Sequence, residues 1–342
     1  MDDEPKAVAE RGAEGYAAFN AADYATALSV LEPLALEGDA KAQLWLGHMY
    51  RLGFGVVADA EKGTGLILES AAQGYGPARQ TMAEECSIPG ISGRVPPDYR
   101  EKAIEWLHDD ADHGDLDAQV RLGFARLMGA PGDREEALRW LVRAAEQGHI
   151  IAQMRLGWIY TSGALGKRDY AEALFWYRAA AAEGNVAAAR MLGEFHEEGR
   201  NGAPANIALA RAWYRKAAAM GDMAAAYNLG EMYWDGRGVA RDRTEAVRWY
   251  RRAAELGSYQ AAWKVGKAYA AGRVVARNYL EAYVWLALVA LRADALGVWD
   301  KEESARARDA VAVKLAPAQV EVGGEIIGQL KGRYLEGCRL PP

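Results

Sequence analysis

Apolar residues along this chain fall three and four positions apart, the period of an amphipathic helix, and glycines cut the runs at regular intervals. The stretch from Gly221 to Leu256 contains one full unit. Ala225, Leu229, Gly230 and Tyr233 recur at helical spacing, which predicts a first helix over 223–234, capped by Asp222 and interrupted by Gly236-Arg237-Gly238-Val239. A second helix is predicted from Asp242, with Ala246, Trp249, Tyr250, Ala253 and Ala254 on its buried face, ending at Gly257. The turn glycine returns as Gly38, Gly74, Gly114, Gly148, Gly184, Gly221 and Gly257, at separations of 36, 40, 34, 36, 37 and 36 residues. Two helices at that period build a solenoid by stacking, so the chain reads as one continuous all-α array.

Glycine in the middle of a helix costs roughly 1 kcal/mol against alanine. Its return as Gly47, Gly123, Gly157, Gly193, Gly230 and Gly266, with Ala83 in the second unit, predicts a close helix approach repeated along the stack. Trp106, Trp140, Trp176, Trp213, Trp249 and Trp285, with Ile67 in the first unit, share a register on the second helices. They are expected to fill the room that the glycines and alanines leave, the other reading being a ladder of ligand-stacking rings.

The pattern Ala-x-x-x-Leu-Gly-x-x-Tyr-x-x-Gly-x-Gly-Val-x-x-Asp-x-x-x-Ala-x-x-Trp-Tyr-x-x-Ala-Ala-x-x-Gly, from Ala225 to Gly257, resembles the Sel-one-like repeat (SLR), a relative of the tetratricopeptide repeat. The resemblance covers roughly Tyr24 to Leu291 and implies an α-solenoid, a right-handed superhelix of about seven helix-turn-helix units. It also implies an adaptor or scaffold that is no enzyme, in a bacterial envelope or secretion setting, with the first helix of each unit lining the concave face. Cysteine-rich relatives carry one disulfide per repeat. This chain has two cysteines, so the β-lactam-related activity of that branch is not carried over.

Residues 1–37 are expected to form a tetratricopeptide-like capping hairpin, 38–291 the seven units, and 292–342 closing helices over 302–315 and 319–330 with a tail from Gly337. The second unit carries an insertion over 87–97, either tolerated length or a contact loop, and the third closes tightly over 129–133.

Apolar residues make up 51% of the chain, enough for an extended core, and no run of about 18 apolar residues occurs to span a membrane. A net charge of −6 argues against a nucleic-acid partner, which needs clustered Lys and Arg. Cys86 and Cys338 are separated by most of the array. Helices pack roughly 8–10 Å apart and a disulfide tolerates about 7 Å between Cα atoms, so two unpaired thiols are expected. The start Met1-Asp2-Asp3-Glu4-Pro5 lacks the basic and apolar regions of a signal peptide. A periplasmic or secreted location is expected if a leader was removed, and a cytoplasmic one otherwise.

The partner-facing positions expected from the resemblance lie one and four residues after the mid-helix glycine and three before it. They give His48 and Arg51 in the first unit, Phe124 and Leu127 in the third, Met154, Trp158 and Thr161 in the fourth, Arg190, Glu194 and Glu197 in the fifth, Tyr227, Glu231 and Trp234 in the sixth, and Trp263 with Lys267 in the seventh. Rings would anchor a peptide or protein loop while the carboxylates select Lys or Arg, unless the same residues only pack or form a solvated face. Arginines of the second helices, Arg143, Arg178, Arg248 and Arg251 among them, are read as solubilising, with contact to an anionic envelope polysaccharide as the alternative. No cofactor is expected: Gly236-Arg237-Gly238 lacks the strand that a dinucleotide fingerprint needs. His108 and His113 with Asp109, Asp110 and Asp112 form a His-Asp cluster without metal-site spacing, so neither a metal nor a catalytic residue is assigned.

Overall fold

A computed structural model describes residues 4–87, 97–127, 133–164, 166–199, 205–296 and 301–336. All regular structure among them is helical: α1 Glu4–Asn20, α2 Tyr24–Leu36, α3 Ala40–Leu52, α4 Ala60–Ala72, α5 Gly76–Ser87, α6 Pro97–Asp112, α7 Leu116–Leu127, α8 Asp133–Glu146, α9 Ile150–Ser162, α10 Tyr170–Ala182, α11 Val186–Glu198, α12 Ile207–Ala219, α13 Met223–Asp235, α14 Arg243–Glu255, α15 Tyr259–Ala271, α16 Tyr279–Leu296, α17 Lys301–Ala312 and α18 Pro317–Glu336. The chain forms two compact units, Met1–Leu156 and Gly157–Pro342.

The unit built from α13 and α14 follows its sequence closely. Asp222 Oδ1 accepts from Ala225 N–H at 2.7 Å and Asp242 Oδ1 from Glu245 N–H at 3.0 Å, so both helices begin where a carboxylate satisfies a free donor of the first turn. Gly236 ends α13 at φ 77, a left-handed conformation that lets its N–H reach Met232 O. Asp242 N–H then donates to Tyr233 O at 3.0 Å and ties the start of α14 to the end of α13. The same tie joins Asp59 to Tyr50, Asp169 to Tyr160 and Asn278 to Tyr269.

The close approach predicted at the mid-helix glycines is present, but a different side chain occupies it. A Cβ on Gly230 would lie 2.5 Å from Tyr250, one on Gly193 2.5 Å from Tyr214, and one on Gly157 2.5 Å from Tyr177. Leu141 and Leu286 take this place at Gly123 and Gly266, and Ile67 at Gly47. The filler is therefore the residue after the tryptophan, and Ile67 belongs to that register instead of the tryptophan's. Tyr214 and Tyr250 are fully buried; of the tryptophans, Trp140, Trp176 and Trp285 are buried in the core as expected, while Trp106, Trp213 and Trp249 are half-buried. The core stripe of an amphipathic helix is wide enough for two adjacent positions, so the tryptophan and the residue after it share it, the latter meeting the glycine.

A buried glutamine adds a polar device. Gln43, Gln119 and Gln153 send Nε2 to the carbonyls of Ala35, Ala111 and Ala145, eight residues back in the preceding helix. At the N-terminal end α1 packs against α2. Helices α17 and α18 follow α16, with Pro317 opening α18 at the position where a missing N–H costs nothing. Val311 joins Ala282 and Leu286 in a core cluster there. The insertion over 88–96, the turn over 129–132, Cys338 and the tail from Gly337 lie outside the described residues, as does the side chain of Cys86.

Candidate partner-binding cleft

The carboxylates expected to face a basic partner are instead bonded within the chain. Glu194 accepts from Arg190 Nη1 at 2.6 Å, and Arg190 Nε also lies 3.3 Å from Asp222 Oδ2, the N-cap of the next repeat. Glu197 accepts from the Tyr214 hydroxyl at 2.8 Å and pairs with Arg237 of the following unit. Glu231 accepts from the Tyr250 hydroxyl and from Lys264 Nζ. Burial alone would raise the Glu231 carboxyl, but hydrogen bonds from Lys264, Tyr250 and Tyr227 and the Lys264 charge outweigh it and hold the pKa below its ordinary value. Burial, then the bond to Glu231, pushes Tyr250 up, and burial, then Glu197, does the same to Tyr214. The stripe is a set of staples between helices and between successive repeats.

Nor do the apolar expectations form one open face. Phe124 and Leu127 are buried, the Phe124 ring covered by Arg155 at 4.1 Å. Met154 is half-buried. Trp158 is 47% exposed. His108 Nδ1 pairs with Asp112 at 3.0 Å and His113 Nδ1 lies 2.7 Å from Asp109 O, which ties the His-Asp cluster into α6. Among the described residues no group of three or more His, Cys, Asp or Glu is placed to hold a metal, and no helix is long and apolar enough to cross a membrane.

Three predicted residues, Trp234, Trp263 and Lys267, do come together. Trp234 at the end of α13 and Trp263 on α15 line a cleft of about 520 Å³. Ala268, Ala271 and Val274 complete its apolar wall, and the rim carries Arg243, Lys264, Lys267 and Arg273. Arg243 lies over the Trp234 ring at 4.9 Å and Lys267 over the Trp263 ring at 5.1 Å, each cation held against an aromatic face. Tyr227 lies beside it, 5.7 Å from the Tyr250 ring and with Lys264 Nζ 5.2 Å over its own. Lys264 is spent on Glu231. Arg243, Lys267 and Arg273 have no carboxylate within ion-pair reach among the described residues. Of these cations only Lys267 occupied a position that the helical register singled out. The signal missed was local: α15 carries two lysines three apart on the flank of a tryptophan, beside a turn arginine.

Stacked two-helix hairpins with glycine-tyrosine contacts and an aromatic cleft on their first helices define a tetratricopeptide-like repeat protein. A family model for the Sel1 repeat matches seven times, at residues 40–75, 82–109, 116–149, 150–185, 186–222, 224–258 and 260–293, and the chain belongs to the Sel1 repeat family. Sel1 repeat proteins generally mediate protein–protein interaction, on a fold typical of non-enzymatic scaffolds. A Sel1 repeat protein from Oxalobacter formigenes, solved by crystallography, is 26% identical over 94% of this chain and 87% of its own, with a TM-score of 0.62. A protective antigen of uropathogenic Escherichia coli strains, displaying an SLR fold, is 24% identical over 99% of this chain and 89% of its own, with a TM-score of 0.35. Comparison with curated protein sequences finds no match.

Proposed function

We propose that this chain is a non-enzymatic interaction scaffold that receives a segment of a partner protein in the cleft between Trp234 and Trp263. The observation that carries the reading is the pairing of two half-buried tryptophans across a concavity, in a molecule whose predicted carboxylates Glu194, Glu197 and Glu231 are committed to internal bonds. Tryptophan and arginine are the residues most often found to dominate binding energy at interfaces, and both line this cleft. A native-extract pull-down with the full chain, compared with Trp234→Ala plus Trp263→Ala, tests it. The expected result is a retained protein lost from the double variant while helical circular dichroism is unchanged. Equal recovery by both proteins would remove the cleft from consideration. Trp158→Ala, outside the cleft lining, serves as the matched control and should retain the partner.

A further inference from the structure

The cleft also carries information about the chemistry of its occupant. Its wall is apolar, from the two indoles, Ala268, Ala271 and Val274, and every charged side chain that lines it is a cation. Lys264 is neutralised by Glu231, which leaves Arg243, Lys267 and Arg273, all exposed and without a described carboxylate partner. The chain as a whole is acidic, at a net charge of −6, so three uncompensated cations around one apolar hollow are a local reversal of the molecule's field. The lining contains no carboxylate, carboxamide or hydroxyl side chain. An ionised carboxylate only accepts and the Arg, Lys and indole groups of the lining only donate, so the two are complementary.

Resting on the scaffold reading above, we infer that the cleft takes an acidic peptide segment of a partner protein, one apolar side chain entering between Trp234 and Trp263 and flanking Asp or Glu carboxylates meeting Arg243, Lys267 and Arg273. This inverts the polarity read from the helical register, where carboxylates were to select a basic partner. The physical reason is that those carboxylates are already bonded within the chain, while the cations of the next repeat are not. Arg243 and Lys267, held against indole faces, are positioned before any ligand arrives, so less side-chain freedom is lost on binding.

The test is a random peptide display library selected on the full chain, followed by affinity measurements with the recovered peptides. Enrichment of Asp and Glu around an aromatic or aliphatic residue is expected, with affinity falling as salt is raised. Arg243→Glu, Lys267→Glu and Arg273→Glu together should weaken binding on the order of tenfold or more. The milder triple change to Gln should give a smaller loss in the same direction, and both variants should keep the native circular dichroism. Recovery of basic or uncharged peptides that Trp234→Ala plus Trp263→Ala abolishes would overturn the acidic assignment and leave the scaffold reading standing. Acidic peptides bound equally well by the tryptophan variants would overturn both. Polygalacturonate binding that charge reversal abolishes but the tryptophan changes do not would assign the cations to an acidic polymer and sink the peptide. A library that yields no enriched sequence counts against it in the same way.

Discussion

At Gly230 a methyl group would stand 2.5 Å from Cδ1 and Cε1 of Tyr250, closer than real carbon atoms approach, and Tyr250 is fully buried with its hydroxyl bonded to Glu231. Alanine gains about 1 kcal/mol of helix propensity over glycine, but the clash displaces a fully buried ring in a close-packed interior. Gly230→Ala should therefore destabilise, by about 1–3 kcal/mol, as a lower urea midpoint. Gly65 in α4 meets nothing within 4 Å, so Gly65→Ala should stabilise by about 0.5–1 kcal/mol. Opposite signs at two helical glycines are the outcome to look for; two stabilised variants would mean that the tyrosine yields. The neighbouring Glu231 supplies a pH test. Its pKa is lower folded than the ordinary 4.5, so its contribution is fully present above that value and is lost as pH falls through the depressed pKa. Glu231→Gln should cost about 1.5–3 kcal/mol at neutral pH and close the gap to wild type in acid, measured by denaturation at both. A gap that stays constant with pH would show that the carboxylate is not the charged partner of Lys264.

Between elements, the same aspartates that start helices also link repeats. Asp242 caps α14 and makes no ion pair among the described residues, whereas Asp222 caps α13 through Oδ1 and holds Arg190 of the preceding repeat through Oδ2. Loss of a cap costs about 0.5–2 kcal/mol, so Asp242→Ala should fall in that range and Asp222→Ala above Asp242→Ala. Asp222→Asn should recover the cap but not the ion pair; equal stability of all three variants would reduce the bridge to a surface contact. These caps, the turn glycines and the period are visible in the sequence because each depends on a local geometry that few residue types satisfy. The packing at the mid-helix glycine was half visible: its position was plain, but Trp249 and Tyr250 are adjacent and large, and only the rotation of α14 decides which points inward. The cleft was less visible still. Trp234 and Trp263 followed from register, but the meaning of Glu194, Glu197 and Glu231 depended on whether Arg190, Tyr214, Arg237, Tyr250 and Lys264 reach them, contacts up to 40 residues away in sequence.

For the whole molecule, a repeat array differs from a globular domain in how damage spreads. Each hairpin touches mainly its chain neighbours, so stability is approximately a sum of repeat and nearest-interface contributions, and a local loss need not unfold the rest. Val311 of α17 is 5% exposed in a cluster with Ala282 and Leu286, packed beside Trp263, Tyr279 and Tyr283, and so joins the closing helices to the repeat that carries one wall of the cleft. An aspartate there would bury a charge without a partner, a change that costs several kcal/mol unless the segment opens. Val311→Asp should therefore raise amide hydrogen exchange across α15 to α18 by orders of magnitude while leaving α3, α4, α7 and α8 protected as in the wild type. It should also weaken any ligand of the Trp234–Trp263 cleft, although residue 311 does not line it. Uniform loss of protection from α3 to α18 would contradict nearest-neighbour coupling and show that the chain unfolds as one cooperative body. Unchanged exchange in α15 would show instead that the closing helices are dispensable to the cleft.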